Sequence, residues 1–489
     1  MRKGLLIAAV IAIGAIAFGV RWRFRAPPPP PSALSPRASR PAGPSAKAFI
    51  AYADAATILD AHRSTLPIGL KGVAPAALQA AWPAWVSRHD AEIRSRLAQG
   101  DEDSLVNLWL YGTSFTAAPR ATEQEMALLP TRAAAEQLLV RRLDDLVTRL
   151  AAPGDNERLQ FARQVVAAHD IDVSTDAGQE RARIYLVKAR DRVIAEQARY
   201  RRVTASAKRP GDAAGELDAD ATLYRDRGLS SDTQLTADFA LDSALSAIAS
   251  SGSLAPRSVH RAALAGPGLD FIDKAEGYDF YPLQTIQPFA LIDSLRRANL
   301  AVAEGLRVTT FDLSPRVNEH LAGARRRAAA GEVYTIQLPL ATGDPKHQWE
   351  APLLRYWQAA GDQIGDDAAA ILPPAVTGAV RVRAVRIRPS VTLSIVPQDL
   401  DIITERLEPL ADEERFDLVV ATNLLVYYDA FDQALALSNI AGMLRPGGLF
   451  VTNSAVSPGE SFEAAPVLVT PVFFDRQQNR DTLFSYRKK

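Results

Sequence analysis

Beyond Pro256, short apolar runs alternate with segments of helical periodicity, a pattern that builds a parallel sheet covered by helices on both faces. The first strand is expected over Val259–Ala265, followed by the loop AGPGLDF at 265–271. Glycines at 266 and 268 let backbone approach a ligand closely after a strand, and Asp270 adds a hydrogen-bond acceptor. A second strand, Leu306–Phe311, ends at Asp312, and Ser314-Pro315 opens a helix reaching about Ala329. An acid at that strand tip is placed to accept hydrogen bonds from both hydroxyls of a ribose. A third strand, Val391–Val396, leads to Gln398 and Asp399, which would face an adenine amino group. The fourth, Phe416–Ala421, runs into Thr422 and Asn423 and then a helix from about Ala430 to Leu444. After the turn Arg445-Pro446-Gly447-Gly448 comes a fifth strand, Leu449–Asn453, and the runs Val467–Phe474 and Thr482–Tyr486 would close the sheet as an antiparallel hairpin. Ligand-type residues therefore follow four successive strands, which single out the region as a binding domain.

The chain has 489 residues, enough for two or three domains, and its 47% apolar and 23% charged content is that of globular protein. We divide it into an anchor or uncleaved signal (1–25), a Pro-rich linker (26–46), an α-helical region (47–250) and the α/β domain (256–489), with insertions at 276–289 and 331–388. Residues Gly4 to Val20 form an apolar or small-residue run behind Arg2 and Lys3, close to the lower length limit for a bilayer-spanning helix. The run ends in Gly19-Val20 and a cluster of arginines rather than an A-x-A site, so it reads as a retained anchor in contact with the lipid bilayer. Arginines 21, 23, 25, 37 and 40 outnumber the charges ahead of the run, which favours a cytoplasmic body, with export the alternative. Five consecutive prolines, Pro27 to Pro31, begin an extended spacer.

In the helical region, Leu139, Leu143, Leu146 and Leu150 share one face of a helix predicted over Arg132–Ala151, which Pro153-Gly154 stops. Further helices are predicted over Ala177–Tyr200 and Thr233–Ala249, the last capped by Ser231 or Asp232. Charges along these helices alternate in sign, the pattern of a solvated face. The net charge is zero with no dense basic stripe, so nucleic acid is not expected as a partner. There is no cysteine, which excludes disulfides, thiolate metal sites and cysteine nucleophiles. The histidines have no ligand spacing, and no metal is expected.

The run FDLVVATNLLVYYD…NIAGMLRPGGLFVTNS resembles the fourth strand, helix and fifth strand of class I S-adenosylmethionine-dependent methyltransferases, with a particular likeness to chemotaxis-receptor methyltransferases. TTFDLSPRVNEHLAGAR is similar to the second strand and helix of that group. The resemblance implies a Rossmann-like doubly wound sheet with S-adenosylmethionine as cofactor and a small-molecule or protein methyl acceptor. By the same resemblance, Gly266, Gly268 and Asp270 would embrace the methionine moiety, Asp312 the ribose, Asp399 the adenine edge, and Thr422 with Asn423 the wall at the fourth strand.

Two departures stand out. The acid that usually precedes the glycines is Ala265 here, and Asp270 stands where a third glycine would be. An aromatic insertion at 276–289 brings Tyr278, Phe280 and Tyr281, which either cap a ligand, shape an acceptor pocket or bury themselves in the core. Methyl transfer chiefly needs alignment and exclusion of water, so no acid-base dyad is required. Should the acceptor have to lose a proton, Tyr278, Tyr281 and His347 are the candidates. Two other readings remain: a non-catalytic scaffold with a degenerate methyltransferase fold, and a nicotinamide-dependent oxidoreductase. The second is disfavoured because Gly266-Pro267-Gly268 lacks the later helix-packing glycine of the dinucleotide fingerprint.

Overall fold

The computed structural model describes residues 46–207, 228–272, 279–302, 304–341, 348–374, 380–475 and 479–489, all within one compact unit, 43–489. The expected anchor at 4–20, the proline linker up to residue 45, and Tyr278 and His347 lie outside the described residues. Among the described residues no helix is long and apolar enough to cross a membrane.

A short strand, β1 (Ala46–Phe49), precedes helices α1 (Tyr52–Ala61), α2 (Pro75–Tyr111), α3 (Glu123–Ala127), α4 (Arg132–Ala151), α5 (Glu157–Ala167), α6 (Asp176–Ala207) and α7 (Thr236–Ser250). The α/β part follows as β2 (Arg261–Ala265), α8 (Gln287–Arg297), β3 (Arg307–Asp312), α9 (Pro315–Ala329), β4 (Tyr334–Ala341), α10 (Ala351–Ala359), β5 (Gly365–Ala368), β6 (Arg381–Ile387), α11 (Pro389–Ser394) and β7 (Ile395–Asp399). It ends with β8 (Glu405–Glu408), β9 (Phe416–Ala421), α12 (Ala430–Met443), β10 (Leu444–Thr452), β11 (Leu468–Phe473) and β12 (Arg480–Arg487).

Seven strands form the main sheet in the order β11-β12-β10-β9-β2-β3-β7. Strands β7, β3, β2, β9 and β10 are parallel, while β12 pairs antiparallel with both β10 and β11. Chain order reverses between β2 and β9, the switch point at which doubly wound sheets open a crevice beyond their carboxyl ends. The fold is therefore α/β and Rossmann-like, with the expected hairpin closing it.

Because side chains alternate across a strand, the sheet has two buried faces. Ala262, Leu264, Leu418 and Val420 join one core with residues of α4, α5, α7 and α8, including Leu146, Val166, Leu241 and Phe289. Ala263, Ala265, Val419 and Ala421 join the other, where Trp82 and Trp85 of α2 meet Phe431 and Leu435 of α12. The helical region thus supplies cover to both faces. Buried Arg142 donates to the carbonyls of Trp109 and Gly112 at the C terminus of α2, where helix carbonyls lack partners, and to those of Ala118 and Pro119 in the loop that follows.

Three local expectations are corrected. The third strand begins at Ile395, because Pro389 at the first turn starts a helix that takes up Val391 to Ser394. Neither Ser231 nor Asp232 caps α7; the position before that helix is Leu235, with no side-chain cap. Finally, 331–388 holds an antiparallel sheet of order β4-β6-β5 with α10, and 46–49 pairs antiparallel with β8, neither of which was foreseen.

Candidate functional site

A cavity with about 950 Å³ of empty space, counting its open mouth, lies at the switch point beyond the carboxyl ends of β2, β3 and β9. Its floor is made by Ala265, Gly266, Phe311, Thr422 and Asn423.

Both glycines sit in the left-handed region, Gly266 at φ 67° and Gly268 at φ 60°. Gly266 donates its N–H to the Phe311 carbonyl at 2.8 Å, which turns the chain sharply off β2. A Cβ on Gly268 would stand 2.8 Å from the Ser231 carbonyl oxygen. That oxygen belongs to a strap, residues 229–234, which lies on the loop as an added extended segment. Leu269 donates to Ser231 at 2.7 Å, and Thr233 donates to Leu269 at 2.9 Å. Ser230, Asp232 and Gln234 of this strap line the cavity. The Ser-Asp pair that reads as a helix cap is therefore used to close the glycine turn.

Asp312, at the tip of β3, lines the cavity and is held from behind. Its Oδ1 accepts from the Ser314 N–H at 2.8 Å and its Oδ2 from the Gly268 N–H at 3.4 Å. Burial lifts its pKa to about 6, against the pull of those two N–H groups. Thr422 receives a hydrogen bond from the Gln287 amide at 2.8 Å, and Gln287, from the first turn of α8, is itself a buried lining residue. Asn423, at φ 56°, donates its N–H to Asn453 at 2.8 Å and accepts from the Asn453 amide at 2.6 Å. Gly266, Gly268, Asp312, Thr422 and Asn423 are brought together as the sequence led one to expect.

Three candidates lie elsewhere. Asp270 is fully enclosed, its carboxylate accepting from the Tyr281 hydroxyl at 2.6 Å and the Gln284 amide at 2.8 Å. Both side chains are thus spent in the core, and Tyr281 is not available as a base. Arg158, buried, donates to the carbonyls of Asp270, Phe271 and Tyr281 and pins the chain there. Asp399 is the last residue of β7, where Arg94 and Lys47 engage it at 2.6 and 3.3 Å, and it does not line the cavity. The residue that does is Asp401, two positions further on.

Asp401 is 1% exposed. Its Oδ1 accepts from the Ile403 N–H at 2.9 Å, whereas its Oδ2 is buried without a hydrogen-bond partner among the described residues. Burial, seconded by neighbouring Asp90 and Glu405, lifts its pKa to about 7. An orphaned buried acceptor at the wall of a cavity is where a ligand N–H would be received.

Asp232, Asp312 and Asp401 are the charged residues among the described residues that line the cavity; no described Lys, Arg or His lines it with them. From outside the lining, Arg316 donates to the Ser231 hydroxyl and lies 3.6 Å over the Phe161 ring, and Arg96 donates to the Tyr427 carbonyl at 3.2 Å. Among the described residues there is no cluster of His, Asp and Glu able to hold a metal ion.

No known protein family matches the sequence, and no curated protein matches it. Several solved structures resemble it. The N-methyltransferase NodS from Bradyrhizobium japonicum WM9 is 15% identical, the match covering 50% of this chain and 93% of that one at a TM-score of 0.25. The magnesium protoporphyrin IX methyltransferase ChlM from Synechocystis PCC 6803, solved with bound SAM, is 10% identical over 60% of this chain and 90% of its own, at a TM-score of 0.24. The glycopeptide N-methyltransferase MtfA, complexed with sinefungin, is 13% identical over 50% and 76%, at a TM-score of 0.21. Likeness at these values bears no weight on function; the strand order and the lining of the cavity do.

Proposed function

We propose that the chain is an S-adenosylmethionine-dependent methyltransferase, acting on a small-molecule or protein acceptor, and held at a bilayer by residues 4–20 with its body in the cytoplasm. The observation that carries the catalytic reading is the charge of the crevice. Among the described residues, three aspartates line it and no basic residue does. A dinucleotide would bring its pyrophosphate to a wall of carboxylates, whereas a sulfonium with an α-ammonium group brings positive charge to it. The same charge pattern speaks against the oxidoreductase alternative.

The residues present fit such a cofactor. The carboxylate of Asp312, already steadied by two backbone N–H groups, is free to accept from a ribose diol, and the orphaned Oδ2 of Asp401 accepts from an exocyclic amine. When bound, the cofactor supplies a methyl group activated on a sulfonium: as the acceptor's lone pair bonds to the methyl carbon, the carbon–sulfur pair returns to sulfur. Thr422 and Asn423, fixed by Gln287 and Asn453, form a rigid wall where acceptor and methyl carbon must be aligned. Leu97, Leu424 and Tyr427 give that wall an apolar surface that excludes water. The likeness of Phe416–Asn453 to chemotaxis-receptor methyltransferases supports this reading, and the arginines after residue 20 support the cytoplasmic side.

The test is isothermal titration of the full chain with S-adenosylhomocysteine and, separately, with NAD. Binding of the first and not the second is the expected result. Heat from NAD alone, or from neither, overturns the proposal.

A further inference from the structure

We propose that Arg94, on α2 and outside the sheet, is a positioning residue for the nucleoside: through Glu405 it fixes the loop that presents Asp401, so that the helical region completes the cofactor site. This rests on the reading of the crevice as an S-adenosylmethionine site, and it goes further in naming a residue that never touches the ligand.

The geometry is a fork. The Arg94 guanidinium donates Nε to Asp90 at 2.9 Å, Nη1 to Asp399 at 2.6 Å and Nη2 to Glu405 Oε2 at 3.0 Å. That same Glu405 oxygen accepts the backbone N–H of Asp401 at 2.9 Å. The other oxygen of Asp90 accepts from the Thr404 hydroxyl at 3.0 Å, and Lys47 of β1 reaches Asp399 at 3.3 Å and Glu405 at 3.4 Å. On the far side of the loop, the Asn439 amide holds the carbonyls of Ile402 and Ile403 at 3.2 and 2.9 Å. Loop 400–404 is thus held from α2, β1, β8 and α12, and only the Asp401 carboxylate keeps an acceptor unengaged.

The charges around that carboxylate give Arg94 a second effect. Facing Asp401 are Asp90, His89 and Arg94 from α2, Glu405 from β8 and Tyr428 from the segment after β9. Asp399 and Lys47 complete the network. Arg94 is the cation that touches three of its acids, Asp90, Asp399 and Glu405. Without it the bridge between Asp90, Asp399 and Glu405 is lost, and Asp401 sits among carboxylates with less reason to be ionised. An ionised Asp401 accepts an adenine amino group through Oδ2; one protonated there offers a hydroxyl donor to a donor.

The experiment is titration of the full chain with S-adenosylhomocysteine across a pH series, for the unaltered protein and for Arg94→Met, Arg94→Lys and Glu405→Gln, with thermal melting to show that each is folded. Affinity of the unaltered protein is expected to hold at high pH and fall as Asp401 takes up its proton near pH 7. Arg94→Met moves that fall to higher pH: for a pKa raised by about one unit, from about 7 to about 8, affinity drops about threefold more at about pH 7.5 than at about pH 9. Arg94→Lys restores part of it. Glu405→Gln keeps an oxygen for the Asp401 N–H, removes a negative neighbour and moves the fall to lower pH. S-inosylhomocysteine, with a carbonyl in place of the amino group, shows the opposite pH response, gaining rather than losing affinity as Asp401 takes up its proton. No loss of affinity in Arg94→Met at any pH, or shifts of the same sign in Arg94→Met and Glu405→Gln, overturns the inference. Should Arg94→Met not fold, Glu405→Gln decides by the direction of its shift. Absence of binding by the unaltered protein at any pH is a different failure, that of the cofactor reading itself.

Discussion

At one end of the crevice carboxylates stand at the tip of β3 and in the loop after β7, each steadied by backbone N–H groups or by Arg94, and on the proposed reading they meet the nucleoside; at the glycine-loop end the turn after β2 is closed by a segment that precedes the sheet. Asp312 is held by the N–H groups of its own helix start and of Gly268. Gly268, by contrast, is fitted against Ser231. On the proposed reading, the difference means that the first end meets its ligand through side-chain charge, where substitution should cost affinity and leave the fold intact. The second end is shaped by backbone packing, where substitution should cost the fold first.

The largest effect expected at the first end is from Asp312→Ala. Two charge-assisted hydrogen bonds to a ribose diol, at about 1.5 to 3 kcal/mol each before compensation by water, make a loss of about a hundredfold or more in S-adenosylhomocysteine affinity. Titration at about pH 8, where both Asp312 and Asp401 are ionised, is the measurement, and unchanged melting temperature is part of the expectation. A loss of tenfold or less would mean that the ribose is held elsewhere. Next in size is Gly268→Val at the second end. The substituted residue would be forced into a left-handed conformation with its Cβ 2.8 Å from a backbone oxygen. The strap must lift, at a cost of about 2 to 3 kcal/mol, read as a fall in denaturant midpoint. If Gly268→Val weakens cofactor binding at unchanged stability, the two ends are alike and the contrast fails.

What could be read from the sequence divides along the same line. Strand β9 was expected at its observed bounds, and Asp312, Thr422 and Asn423 were placed on the crevice, because the end of a buried strand is a local property fixed by an apolar run and a following turn. Asp401 was missed for a local reason too: the run Val391–Val396 suits a strand or a helix, and Pro389 decides for a helix turn, shifting the strand tip by three residues. A proline at a first-turn position was the signal that could have found it. The strap could not be found this way. Ser231 and Asp232 carry a good local cap signal, yet their backbone is taken by Leu269, a pairing set by tertiary packing that no periodicity encodes. Likewise Arg94 is 311 residues from Glu405 in the chain, and its charge looks like any on a solvated helix. Asp270 and Tyr281 looked like ligands for the opposite reason, since polar side chains near a glycine loop do not announce that they satisfy each other in the core.

The smallest effect asks whether docking of α2 can be weakened without touching the crevice. His89 on α2 shares a hydrogen bond of 2.8 Å with Asp432 of α12 and stacks on Trp85 at 4.7 Å. Burial disfavours its charged ring, but the bond and charge of Asp432, with Asp401 and Glu92 behind, prevail and raise its pKa above 6.5. A group whose folded pKa is raised stabilises the fold fully below its unfolded value, and that contribution is lost as pH rises through the folded value. His89→Gln, which keeps a polar side chain without the charge, should therefore cost about 0.5 to 1 kcal/mol at about pH 5.5 and close to nothing at about pH 8.5, in urea unfolding at the two pH values. Cofactor affinity at the higher pH should be unchanged, because Arg94 and not His89 holds the Asp401 loop. A loss of affinity there would mean that the nucleoside end depends on the seating of the whole helix, and the fork at Arg94 would be one support among several.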